Sequence, residues 1–86
     1  MPEVSRFYGI VIKMYFNEHL PPHFHAEYGE YEALIHITTL AVIAGKLPSR
    51  ALGLTIEWAC LHQVELSGLW DKARRMESLD KISPLK

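Results

Sequence analysis

Three histidines, His19, His23 and His25, fall within seven residues around a Pro21-Pro22 pair. The chain holds five histidines in all, and imidazole is the side chain whose ordinary titration lies nearest neutral pH. Such a cluster can bind a metal ion or move protons. From His23 onward the alternation of polar and apolar residues predicts a hairpin, with strands over 23–28 and 31–38 joined at Gly29-Glu30. Glycine at the first of two loop positions suits a type II′ turn. That register sets Tyr28 opposite Tyr31, Ala26 opposite Ala33 and Phe24 opposite Ile35 on one apolar side. On the other side Glu27 meets Glu32, His25 meets Leu34 and His23 meets His36.

Alternate residues of a strand stand ~7 Å apart at Cα, so two imidazoles at that spacing can converge on one ion. His23 and His25 are the catalytic candidates. The metal-ligand candidates are His19, His23, His25, Glu27 and His36, a set suited to a divalent transition metal although nothing else in the chain specifies a cofactor. Opposed Glu27 and Glu32 add a hint, because like charges facing each other destabilise a hairpin unless a cation or proton lies between them. Two other outcomes stand beside this. The polar side of an open antiparallel sheet is commonly just solvated, and His19, lying before the prolines, is better placed to cap the loop than to fold over as a third ligand. No Cys-x-x-Cys pair, His-Glu-x-x-His helix or acidic calcium loop is present. A histidine here could also serve as general acid or base in RNA cleavage without a metal.

These residues need a scaffold. Eighty-six residues make one domain, 1–86, just above the size at which a core needs staples. Hydrophobic residues make up 49% of the chain, which argues for a folded globule rather than a disordered segment. A formal net charge of −1 gives no overall basic field to draw the chain to nucleic acid. A rim of Arg6, Lys13, Lys46 and Arg50, with aromatic groups nearby, keeps nucleic acid as a partner class, against repulsion from Glu27, Glu30 and Glu32. Cys60 has no partner for an internal disulfide and is expected as a small buried helix residue. No signal peptide or membrane-spanning run is evident, so the expected setting is cytoplasmic, with no membrane role.

Residues 6–16 alternate as one strand, with Tyr8, Ile10, Ile12, Met14 and Phe16 expected on the core face. Pro21 and Pro22 exclude the next segment from a central ladder. A short fourth strand is expected at 41–44. Helix begins near Pro48 and extends to about residue 76, as one kinked helix or two, with Ser67-Gly68 as the interruption. Ala51, Leu54, Trp58 and Leu61 form its apolar stripe, and Trp58 and Trp70 are expected in the core. His62 is expected at the boundary, bonded locally, and residues 77–86 form an extended tail. The fold class is α+β: an antiparallel sheet of three to four strands followed by helical cover on one face.

Arg6-Phe7-Tyr8-Gly9-Ile10-Val11-Ile12, Glu18-His19, Pro21-Pro22-His23-Phe24-His25-Ala26 and Tyr28-Gly29-Glu30 are motifs in which the chain resembles a bacterial family, domain of unknown function 4160. Gly45-Lys46-Leu47-Pro48, Arg50-Ala51-Leu52 and Glu57-Trp58-Ala59 extend the resemblance through the first helical segment. Pro-Pro-His-Phe-His is its most specific part. The resemblance implies a small protein often encoded beside another small domain, in an arrangement like a toxin–antitoxin pair. It supplies no activity or catalytic residues. The leading expectation is therefore an interaction module, the toxin-like member of such a pair, whose partner is a small protein encoded by an adjacent gene. The alternative is a metal- or histidine-dependent enzyme, hydrolase or ribonuclease-like, using the histidine-rich strand face.

Overall fold

A computed structural model describes residues 3–86. Five strands, β1 (Glu3–Phe7), β2 (Ile10–Lys13), β3 (His23–Tyr28), β4 (Tyr31–His36) and β5 (Val42–Lys46), form one antiparallel meander in chain order. Two helices follow, α1 (Ser49–Leu61) and α2 (Gln63–Arg74). The α+β class holds, with five strands in place of three or four.

The central hairpin has the expected register, with Tyr28 opposite Tyr31, Phe24 opposite Ile35 and Glu27 opposite Glu32. Gly29 turns it with φ at 58°, as the first position of a II′ turn requires. The segment before it differs from the single strand expected over 6–16. Tyr8 and Gly9 both adopt positive φ, 50° and 82°, and reverse the chain between β1 and β2. Pairs of positive φ make a I′ turn, whose twist suits a two-residue hairpin. For Tyr8 this conformation costs about 1–2 kcal/mol, because Cβ crowds the following carbonyl.

The reversal restarts the inside–outside alternation. Phe7 lies opposite Ile10, so it joins Ile10, Ile12 and Met14 in the core, while Tyr8 and Phe16 are exposed. β5 spans residues 42–46 rather than 41–44 and is exposed along its length.

The core is one cluster. Phe24, Ala26, Ala33 and Ile35 from the hairpin are fully buried with Ile10 and Ile12. From α1, Ala51, Trp58 and Ala59 join them; α2 adds Leu66, Leu69, Trp70 and Ala73. The Trp58 ring packs 5.4 Å from Phe7 and 6.0 Å from Phe24, and its indole N–H donates to the Ser83 carbonyl at 2.8 Å. The tail is docked rather than loose. Ile82 is buried, and its amide donates to Val4 O at 2.8 Å along the β1 edge.

The helical break falls at His62, not at Ser67-Gly68, through which α2 runs unbroken. His62 bonds locally to Glu65. Just beyond the break, the Gln63 amide donates to the carbonyls of Ile37 and Thr38 at 2.9 and 3.0 Å, fixing the start of α2 over the end of β4. Leu61 and Cys60, expected inside, are exposed. Both lie in the last turn of α1 beside the buried Trp58 and Ala59, but on other faces of the helix: the covered stripe runs through Ala51, Thr55, Trp58 and Ala59, with Cys60 opposite it and Leu61 at its flank. No helix among the described residues is long and apolar enough to cross a membrane.

Candidate metal centre

His23 and His25 alternate with Phe24 and Ala26 along β3, so the imidazoles leave the sheet on the side opposite Phe24 and Ala26. They are nonetheless buried, at 5% and 8% exposure. The cover is the β2–β3 connection, residues 14–22. Its prolines keep it out of the ladder, and it crosses the histidine side instead. Two contacts hold it there: the Asn17 amide donates to Ala73 O at 3.2 Å, and the Ile37 amide donates to Pro22 O at 3.0 Å. The Tyr15 ring meets His25 edge-on at 4.7 Å between centroids. From the other direction, Trp70 of α2 comes within 5.3 Å of His23.

The loop also delivers Glu18. Its Oε1 stands 2.8 Å from His25 Nε2 and 3.4 Å from His23 Nε2. All three atoms lie within 4.8 Å of one another. Ligand atoms around a tetrahedral ion, each ~2.0–2.1 Å from it, stand roughly 3.3 Å apart. The set therefore needs only small adjustments to close on a first-row metal.

Both rings are held from behind. His23 Nδ1 lies 2.8 Å from Pro21 O, and a carbonyl can only accept, so Nδ1 carries the proton. Its Nε2 is buried and makes no hydrogen bond, with Glu18 Oε1 the nearby polar atom at 3.4 Å; in the neutral ring this nitrogen is a lone pair aimed at the carboxylate. A buried polar atom in this state costs about 1–3 kcal/mol. His25 Nδ1 lies 3.0 Å from Glu32 Oε2, again as donor to a carboxylate. Its Nε2 then faces Glu18 Oε1, and that contact is favourable only with a proton or cation between the two atoms. An imidazole whose far nitrogen donates to a carboxylate or backbone carbonyl is the usual arrangement behind a metal-bound histidine.

The other sequence candidates lie elsewhere. His19 is exposed in the loop and outside the converging set. Glu27 pairs with Lys13 at 3.1 Å, a hydrogen bond that raises the ammonium above its ordinary value against partial desolvation. His36 stands opposite His23, but its Nδ1 accepts from the amides of Thr38 and Thr39 at 3.0 and 3.3 Å, closing the turn after β4. The opposed Glu27 and Glu32 are thus relieved by separate cationic or donor partners, Lys13 and His25. In the suggested basic rim, Arg6 is engaged by Glu3 at 2.9 Å and Lys13 by Glu27.

Glu18 went unrecognised as a ligand because it lies five residues before His23, across two prolines, with no periodicity linking them. The available signal was the Pro-Pro pair itself, which forces the preceding segment off the sheet and back over one of its faces.

The profile of the family described as domain of unknown function DUF4160 matches residues 9–71. The chain belongs to this family. The matched span includes Glu18, the prolines, both converging histidines and the whole of the central hairpin. No curated protein and no solved structure gives a significant match.

Proposed function

We propose that this DUF4160 chain is a metal-dependent enzyme of the hydrolytic class, with one divalent transition ion held by Glu18 Oε1, His23 Nε2 and His25 Nε2. The observation that carries the reading is the buried, unpartnered His23 Nε2, whose opposite nitrogen is engaged by Pro21 O. Two imidazoles and one carboxylate form a donor set used by zinc hydrolases and non-haem iron sites, and three protein ligands leave a position for water or a substrate oxygen. When bound, the ion supplies Lewis acidity at that position. Glu32 and Pro21 O orient the rings, while Tyr15 and Trp70 shield them from bulk water. The test is metal analysis of untagged protein purified without chelator, followed by cobalt substitution and absorption spectroscopy. One equivalent of metal is expected, lost in Glu18→Gln and His23→Ala. Metal-free protein that also takes up no cobalt would remove the reading.

A second reading, an interaction module of a two-gene, toxin–antitoxin-like pair in the cytoplasm, is supported by a separate feature. The β1 edge is occupied by the tail through Ile82, whereas β5 exposes Val42 and Ile43 at the opposite edge of the sheet. An exposed edge strand is a template for a strand from another chain. Co-expression with the neighbouring gene product, followed by gel filtration, tests it; separate elution of the two proteins would count against it.

A further inference from the structure

At the end of the sheet away from His23, the two hairpin turns carry three exposed tyrosines, Tyr8, Tyr28 and Tyr31. Tyr28 lies opposite Tyr31 at the hairpin turn, and Tyr28 also approaches Gly9, where a Cβ would come within 3.4 Å of its ring. Tyr8 precedes that glycine and is 58% exposed. Tyr8, Tyr28, Arg50, Ala51 and Leu54 line a cleft of about 200 Å³ between the turns and the first turns of α1.

Among the residues of the cleft, Tyr8 is the one at strained backbone, a conformation that Leu40 and Met76 share elsewhere in the chain. The position of Tyr8 in the turn favours Asn, Asp or Gly, and its positive φ of 50° is a strain that a tyrosine bears poorly. Burial does not offset that strain, because most of the ring remains in water. Where a local rule is broken without a gain in packing, function is the first explanation to seek.

The lining defines the ligand. Two phenol rings offer π-faces, while Ala51 and Leu54 provide an apolar floor. Arg50 is the one charged residue of the cleft, and among the described residues it makes no ion pair or side-chain hydrogen bond. A free guanidinium beside aromatic faces selects a planar ring that carries an anionic group. The volume suits one ring system, since a cavity of roughly 150 Å³ accepts benzene. We propose that this cleft binds a single nucleobase with its phosphate, the base against Tyr8 and Tyr28 and the phosphate on Arg50. Tyr28 shares the Phe24 side of β3, opposite the imidazoles, so the proposal stands independently of the metal centre.

The same chemistry is offered by a free mononucleotide and by single-stranded nucleic acid. Fluorescence anisotropy with a labelled oligouridylate and NMR titration with uridine and adenosine monophosphates distinguish them; saturable binding in either arm supports the site and assigns its source. Tyr8→Asn separates function from folding, because asparagine suits the turn. This variant is expected to melt higher than the wild type while binding roughly 5- to 150-fold more weakly, the range that loss of one stacked base spans. Arg50→Ala is expected to weaken binding and flatten its salt dependence. The proposal is overturned if neither probe binds at millimolar concentration, if Tyr8→Asn binds as tightly as wild type, or if that variant melts lower. Saturable binding of an acidic peptide with none of the nucleotide probes would overturn it in favour of a protein ligand.

Discussion

Removing Glu32 should weaken the metal centre without touching a ligand. Its carboxylate receives the His25 Nδ1 proton at 3.0 Å, and its side chain is 47% exposed, so Glu32→Ala leaves no buried void. It frees the His25 ring to turn. Loss of such an outer partner costs about 10- to 100-fold in metal affinity. At a free Zn²⁺ concentration about 100 times the wild-type Kd, binding to the native state alone adds about 2.7 kcal/mol. The variant, at the same concentration, sits at about 1 to 10 times its own Kd and gains about 0.4–1.4 kcal/mol. Domains of this size shift by about 4–8 °C in Tm per kcal/mol. The wild type should therefore rise by about 11–22 °C on adding zinc, and Glu32→Ala should keep roughly a seventh to a half of that rise. Thermal melts of chelator-stripped protein, followed by circular dichroism, supply the measurement. Glu27→Ala is the control, because Glu27 pairs with Lys13 and should leave the zinc response intact. Equal rises in wild type and Glu32→Ala would refute the outer-shell argument. No wild-type response to any first-row divalent ion would refute the site.

Other perturbations test the scaffold by urea denaturation. At Gly45, φ is 73° and an added Cβ would stand 2.1 Å from Glu32 O, so Gly45→Ala should destabilise by more than about 2 kcal/mol. Gly53 lies within α1 with nothing within 4 Å of a Cβ, and Gly53→Ala should stabilise by about 0.5–1 kcal/mol. The Ser5 hydroxyl is buried without a partner, so Ser5→Ala should be neutral or stabilising by up to about 1 kcal/mol, and a clear loss would reveal an unseen partner. Gln63→Ala removes both bonds to the Ile37 and Thr38 carbonyls; a fall of about 1–2 kcal/mol is expected.

The hairpin was the most legible part of the fold. Gly29 can take positive φ, and alternation on both strands agrees with only one pairing, so local chemistry and burial point the same way. The strand over 6–16 was misread because Tyr8-Gly9 lacks the Asn-Gly composition that marks a I′ turn, and the apolar pattern runs on through it. Leu61 and Cys60 were misplaced for a different reason. Periodicity identifies a broad apolar stripe, but packing decides where its covered sector is centred: here on Ala51, Thr55, Trp58 and Ala59, which leaves Leu61 at the flank and Cys60 on the opposite face.

The candidate site divides along the same line. Residue order alone determined that His23, His25, Glu27 and Glu32 leave the sheet on one side, because strand geometry alternates side chains regardless of what lies beyond. Only the tertiary structure decided that this side is covered, that Glu18 reaches both imidazoles, and that Glu27 and His36 are engaged elsewhere. A loop's path over a sheet depends on long-range contacts, here Asn17 with Ala73 and Pro22 with Ile37, and no local periodicity encodes them.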